Sequence, residues 1–256
     1  MDLKKEIENT QVLILAGGTG KRMGNPELPK ALMEVGGKAL IDRCIEFYAK
    51  HGFKEFVLLV GFMNEKIEKH VGDGSKYGVK VKYCVDPPIK KVGKGKALKN
   101  AILTGAIDLR KRAIIAYPDD VYLDEKIPIE LLKKHLELKE KKNVIATLAC
   151  VSGIEYPYGV ALAYDGELVE EFFEKPVVQI PSAIGLYVIE SEIFKSIEEL
   201  VDMNVERAIE FESIVLPKLA KERKLGRFLI ESKKWIPINT QKELETAEKI
   251  LGKDKD

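Results

Sequence analysis

The sequence predicts an α/β fold: a mostly parallel, mixed sheet with helices on both faces. Three observations predict it. Runs of β-branched and aliphatic residues bounded by Gly, Pro or Asp recur along the chain. Segments with apolar residues at three- and four-residue spacing separate them, and the alternation holds to about residue 150. The strand-like runs are QVLILA, FVLLV, VKVKYCV, RAIIAY, VIATLACV and SAIGLYVI; KALIDRCIEFYAKHG, NEKIEKHVG, GKALKNAILTGAID and PIELLKKHLELKEKK read as the intervening helices. YGVALAYDGELVEEFFE then reads as a strand, an Asp-Gly turn and a second strand, an antiparallel excursion before SAIGLYVI returns to the sheet. The expected architecture is a Rossmann-like three-layer sandwich with an inserted antiparallel lobe. It forms one domain over residues 1–256, with halves at about 10–150 and 151–251.

Composition narrows the function. Forty-five per cent hydrophobic residues suffice for a core, and 42 Lys plus Arg against 41 Asp plus Glu leave a net charge of +1. Such a chain has no basic field for nucleic acid or an anionic membrane, so a phosphate ligand must be held by local geometry. No apolar run approaches the roughly 20 residues that span a bilayer, and the start MDLKKEIENT lacks the apolar core of a signal peptide; a cytoplasmic location is expected. Cys44, Cys84 and Cys150 are odd in number and far apart, which argues for buried thiols over disulfides or zinc. His51, His70 and His135 each stand alone in Lys/Glu-rich helical surroundings and read as surface or structural residues.

QVLILAGGTGKRMGNPELPKALMEVGG is the most informative stretch. A strand that stops at Ala16 and meets Gly17, Gly18 and Gly20 can bring bare backbone N–H groups against an anion. Two common phosphate loops fit badly. A P-loop would need glycine at Leu15 and a hydroxyl residue at Arg22; a dinucleotide fingerprint begun at Gly18 would need glycine at Met23.

The remaining pattern, L-A-G-G-x-G-x-R-M followed by Pro29-Lys30, resembles the signature of the nucleotidyltransferase superfamily that makes sugar nucleotides. GFKEFVLLVGFMNEKIEKHVGDGSKYGVKVKYCVDP is similar to the second βαβ unit of bacterial sugar-1-phosphate nucleotidylyltransferases, and the resemblance covers roughly residues 10–251. It implies a nucleotide-binding first half and a sugar-phosphate-binding second half. In that reaction a sugar 1-phosphate oxygen attacks the α-phosphorus of a nucleoside triphosphate and pyrophosphate leaves, so repelling phosphates must be brought in line. Arg22 would offer a planar fork to the triphosphate and Lys30 a point charge near the α-phosphate, with Leu15, Ala16, Gly17, Gly18, Thr19, Gly20 and Lys21 forming the loop.

The resemblance implies further roles. Gly93-Lys94-Gly95-Lys96-Ala97 stands where the family has a turn against the nucleobase, which puts Gly93 and Lys96 at the base; the uridylyltransferase branch looks closest and favours UTP or dTTP. RAIIAYPDDVYLD is a buried strand ending in two carboxylates. Asp120 aligns with the family's Mg²⁺ ligand; Asp119 joins the nucleotide set or caps a turn. Tyr158-Gly159-Val160 and Glu174-Lys175-Pro176 resemble the pairs that hold the sugar phosphate, with Gly159 and Glu174 at the sugar and Lys175 on the phosphate. One departure stands out: the family usually has W-x-D-x-G-T, whose aspartate binds metal, where this chain reads Trp235-Ile236-Pro237-Ile238-Asn239-Thr240. Asn239 could then supply an amide oxygen. The departure keeps two other readings open, a catalytically silent nucleotide-sugar-binding regulatory protein and a cytidylyltransferase for a polyol or inositol phosphate. The full set of Arg22, Lys30, Asp120 and Lys175 favours the enzyme. The expected partners are a nucleoside triphosphate and a sugar 1-phosphate, with Mg²⁺ as cofactor, neither nucleic acid nor membrane, and a homo-oligomer left open.

Overall fold

A computed structural model describes residues 2–20 and 27–252. All six expected strands form, and a seventh joins them. In chain order they are β1 (Thr10–Leu15), β2 (Glu55–Val60), β3 (Lys80–Val85), β4 (Arg112–Ala116), β5 (Ala146–Ser152), β6 (Ser182–Ile189) and β7 (Leu225–Glu231). The sheet order is β7-β5-β6-β4-β1-β2-β3. β6 runs antiparallel to β4 and β5, and the other neighbours pair parallel. The run LGRFLIE that makes β7 carries no continuous apolar stretch, because an edge strand needs less cover: Gly226 and Ile230 are buried while Arg227, Leu229 and Glu231 face out.

Side chains alternate across the sheet. From β1, Val12 and Ile14 enter the core beneath helices Leu40–Ala49, Asn64–Val71 and Ile127–Lys142. Leu13 and Leu15 enter the opposite core beneath Gly93–Leu103, Glu192–Leu200 and Phe211–Lys221. The chain steps outward from β1 through β2 to β3, then returns to the other flank of β1 with β4. A crevice opens where that direction reverses, at the C-terminal ends of β1 and β4.

The antiparallel excursion between β5 and β6 also forms. Val160–Leu162 pairs with Glu171–Phe173, and Ile154–Glu155 with Val177–Val178. Asp165 and Gly166 lie in a longer loop between the first pair of strands instead of making a two-residue turn. A third apolar cluster joins Met33, Val35 and Leu40 to Val121, Ile236 and Ile238, and Ala247 anchors the last helix, Gln241–Leu251, against it. Cys44, Cys84 and Cys150 are all free and buried. Among the described residues no helix is long and apolar enough to cross a membrane.

A buried charge network closes the sheet end remote from the crevice. Glu190 accepts from Arg112 Nε (2.7 Å) and His135 Nε2 (2.9 Å) and pairs with Lys139; His135 Nδ1 accepts from the Thr147 hydroxyl, and Arg112 also pairs with Glu6. Burial alone would raise the Glu190 carboxyl, but His135, Arg112 and Lys139 together hold it down at about 2. His135 is held below its ordinary value, chiefly by burial. Both groups therefore stabilise the fold above their unfolded values and lose that contribution as pH falls: His135 from about 6.5, and Glu190 from 4.5 toward about 2. The Glu190 part is on the order of 3 kcal/mol. Urea midpoints should decline below pH 6.5 and more steeply below 4.5, and Glu190→Gln should flatten the lower limb. An equally steep limb in the variant would refute the assignment.

Candidate active site

The loop after β1 enters the crevice. Ala16 N–H still donates to the Leu59 carbonyl, so the backbone stays in register with β2 until the glycines begin. Leu15, Ala16, Gly17 and Gly18 line a cavity of about 440 Å³, together with Lys30, Asp86, Gly93, Lys94, Tyr117, Asp119 and Glu210. A Cβ on Gly17 would lie 2.9 Å from the Asp86 carboxylate, and one on Gly61 would collide with it, so these glycines give Asp86 its place. Burial raises Asp86 to about 6. Gly93 has φ +69°, and a side chain there would strike the backbone of Ile209; Gly95 N–H donates to the Ile209 carbonyl at 2.7 Å.

Two adjacent carboxylates follow β4. Asp119 pairs with Lys30, whose Nζ also donates to Asn239 Oδ1 at 3.1 Å. Lys30 thus commits two of its three N–H donors. Asp120 accepts from the Trp235 indole at 2.7 Å. Burial, then the charge of Asp119, raises Asp120 to about 7, against the opposing pull of Trp235, Lys30 and the Gly185 backbone. Gly185 sits where the register of β6 shifts, between Ala183 and Tyr187, and its bare Cα leaves room for the Tyr117 ring and the Asp120 carboxylate. The strand Trp235–Pro237 pairs with Asp120–Tyr122 so that Pro237 lies opposite Asp120. The position where the family pattern has its aspartate is therefore beside Asp120. Thr240 caps the last helix by accepting from Glu243 N–H, and Glu243 in turn accepts from Asn239 N–H at 2.8 Å, which fixes the residue that receives Lys30.

A second cavity, about 590 Å³, adjoins the first. Lys94, Tyr117, Asp119 and Glu210 line both, and Asp120, Gly185, Tyr187, Glu212, Ser213 and Asn239 are among the residues that line only the second. Lys94 Nζ donates to Glu212 Oε1 at 2.5 Å, lies 3.6 Å from Glu210 and sits 5.1 Å over the Tyr117 ring. The Tyr117 and Tyr187 hydroxyls donate to the same Glu212 oxygen, and burial with that carboxylate's charge raises both phenols, so they stay neutral donors.

The crevice brings together most residues named from the sequence. Leu15, Ala16, Gly17, Gly18, Lys30, Gly93 and Asp119 line the first cavity, and Asp119, Asp120 and Asn239 the second. Thr19 is exposed, and Gly20 packs on Lys30. Lys21 and Arg22 lie outside the described residues. Lys96 is a correction: it is fully buried, its Nζ donates to the Val205 carbonyl, and Lys94 occupies the cavity instead. Helical geometry explains the exchange, since residues two apart in the helix Gly93–Leu103 face different ways. Gly159 and Glu174 meet, with the Glu174 carboxylate 3.2 Å from a Cβ built on Gly159, but they and Lys175 sit on the exposed lobe and line neither cavity. Lys175 has φ +44°. Asn239 is Lys30's acceptor, so as a metal ligand it would share its amide oxygen with an ammonium group.

Asp86, Lys94, Tyr187, Glu210 and Glu212 were missed. Asp86 carried the same signal as Asp119, a carboxylate at the end of a strand-like run; Glu210 and Glu212 carried none. Among the described residues no three His, Cys, Asp or Glu side chains group to hold a metal alone. Two adjoining carboxylates facing one ammonium group are nevertheless short of positive charge. This donor set fits Mg²⁺ bound by Asp120 and completed by water and phosphate oxygens.

The chain belongs to the nucleotidyl transferase family, whose model matches residues 11–253. A mannose-1-phosphate guanyltransferase from Yarrowia lipolytica is 28% identical over 246 residues, covering 90% of this chain and 61% of its own length. A UTP–glucose-1-phosphate uridylyltransferase from Synechocystis is 27% identical over 200 residues, covering 72% of this chain and 50% of its own. The chain thus spans half to three-fifths of these relatives. A D-glycero-α-D-manno-heptose 1-phosphate guanylyltransferase from Campylobacter jejuni is 28% identical over 188 residues, 72% of this chain and 77% of its own. The fold matches a Bacillus anthracis crystal structure described as a glucose-1-phosphate thymidylyltransferase in complex with sucrose, with TM-score 0.72, 21% identity and 95% of both chains covered.

Gly185→Ala tests the packing of this site. The new methyl must displace Tyr117 or Asp120, so a loss of about 1–3 kcal/mol is expected in urea unfolding. A wild-type midpoint would show that β6 yields freely.

Proposed function

We propose that the protein transfers a nucleotidyl group from a nucleoside triphosphate to a sugar 1-phosphate. The observation that carries this reading is the pair of adjoining cavities at the ends of β1 and β4, with Asp119 and Lys94 in their common wall. A donor in the first and an acceptor in the second would meet beside Lys30, Asp119 and Asp120. The acceptor's phosphate oxygen forms a bond to the α-phosphorus as the bond to the β-phosphate oxygen breaks, and pyrophosphate carries away the electron pair. Lys30 keeps an N–H donor for the α-phosphate, and Arg22, from the loop, would fork onto the triphosphate. Mg²⁺ held by Asp120 would neutralise phosphate charge. Lys175, with Gly159 and Glu174, would reach the sugar phosphate from the lobe. The protein would work in the cytoplasm.

UTP or dTTP is the donor supported by the uridylyltransferase-like turn at Gly93. One observation favours a second reading, GTP. The Asp86 carboxylate in the nucleotide cavity can accept from two adjacent donors, as guanine N1–H and N2–H offer, whereas a pyrimidine dione presents one N–H between two repelling carbonyls.

A grid of five nucleoside triphosphates against sugar 1-phosphates, read by pyrophosphate release with and without Mg²⁺, tests the proposal. Asp120→Asn should lower kcat/KM on the order of 10²-fold while the protein stays folded. Asp86→Asn should cost activity with GTP more than with UTP if guanine is the base. Nucleotide-sugar binding without pyrophosphate release from any pair, at any Mg²⁺ concentration, would replace the enzyme with a silent binding protein.

A further inference from the structure

Resting on the reading that the second cavity takes the acceptor, we propose that Glu212 and Lys94 make the chain select a sugar 1-phosphate whose sugar carries only hydroxyls over one whose sugar carries a carboxylate. Glu212 stands in the first turn of helix Phe211–Lys221, where the sequence shows no ligand pattern. Its two carboxylate oxygens are treated unequally. Oε1 takes three donors, from Lys94, Tyr117 and Tyr187, whereas Oε2 is closed to solvent and has no partner. A buried carboxylate oxygen without a donor is costly, and a ligand that brings a hydroxyl to this wall relieves the cost. The terminal torsion of a glutamate is broad, so a small rotation turns Oε2 toward such a donor without breaking the Lys94 pair.

The rest of the wall has the same preference. Asp119, Asp120 and Glu210 also face this cavity, and its cation Lys94 is already engaged by Glu210 and Glu212. A sugar hydroxyl finds acceptors here. The carboxylate of a uronic acid phosphate finds four carboxyl groups and, among the described residues, no uncommitted ammonium on the cavity wall; it is disfavoured there, whereas the phosphate is common to both acceptor classes and cancels in the comparison.

The experiment uses the full chain, with glucose, mannose and galactose 1-phosphates against glucuronate and galacturonate 1-phosphates. Each is titrated by calorimetry and also assayed for pyrophosphate release with the best donor. The wild type should bind at least one neutral-sugar acceptor tenfold or more tightly than either uronate. Glu212→Gln should raise the neutral-sugar acceptor KM about tenfold, leave the triphosphate KM within twofold and narrow the neutral-to-uronate ratio. Lys94→Met, which strips the cation but keeps the carboxylates, should widen that ratio, so the two variants move it in opposite directions. Thermal melts establish that each variant is folded; if Glu212→Gln unfolds, the Lys94→Met ratio decides. Equal wild-type affinity for both classes, no sugar phosphate binding, or a ratio unmoved in the folded variants overturns the inference. A binding contrast without any pyrophosphate release overturns the transfer reaction and leaves the acceptor site standing.

Discussion

Two carboxylates in succession after β4 set the terms for everything around them. Asp119 and Asp120 repel, and burial makes the repulsion expensive, so neighbouring elements bring compensation. Lys30 arrives after the glycine loop, Trp235 from the antiparallel strand beside Asp120, and the Gly185 backbone from β6. The C-terminal helix and the third apolar cluster hold those partners in place. The first turn of the last helix reaches beyond itself: the Glu243 carboxylate accepts from Asn239 N–H, and Asn239 in turn accepts from Lys30.

The same logic explains how a chain of net charge +1 can prepare for phosphates. Among the described residues the crevice cations are paired with acids on the cavity walls, Lys30 with Asp119 and Lys94 with Glu210 and Glu212. They are positioned before any ligand arrives and lose little freedom when one binds. At the other end of the sheet Glu190, Arg112 and His135 are buried together as a mutually paired network. The two charge clusters lie at opposite ends of the same strands, so the functional end can carry excess negative charge while the network at the remote end is satisfied.

The five inner strands were legible because burial on two faces demands apolar runs, and the edge strand β3 because VKVKYCV keeps a strand-like alternation, whereas the edge strand β7, LGRFLIE, carries neither signal. Leu15 to Gly18, Asp119 and Asp120 were legible because they lie within a few residues of a strand end, where chain order and spatial order coincide, and Lys30 because Pro29-Lys30 completes the family pattern. The sequence by itself determined the layered α/β fold, the glycine loop, the strand-end carboxylates and the family. Tertiary structure alone decided that Lys94 and not Lys96 faces the cavity, that Asn239 serves Lys30, and that Glu212 gathers Lys94, Tyr117 and Tyr187 from three separate elements. The physical reason is range. Hydrophobic periodicity and turn chemistry act between near neighbours in the chain, whereas a buried charge takes its partner from whichever element the packing of the sheet brings beside it.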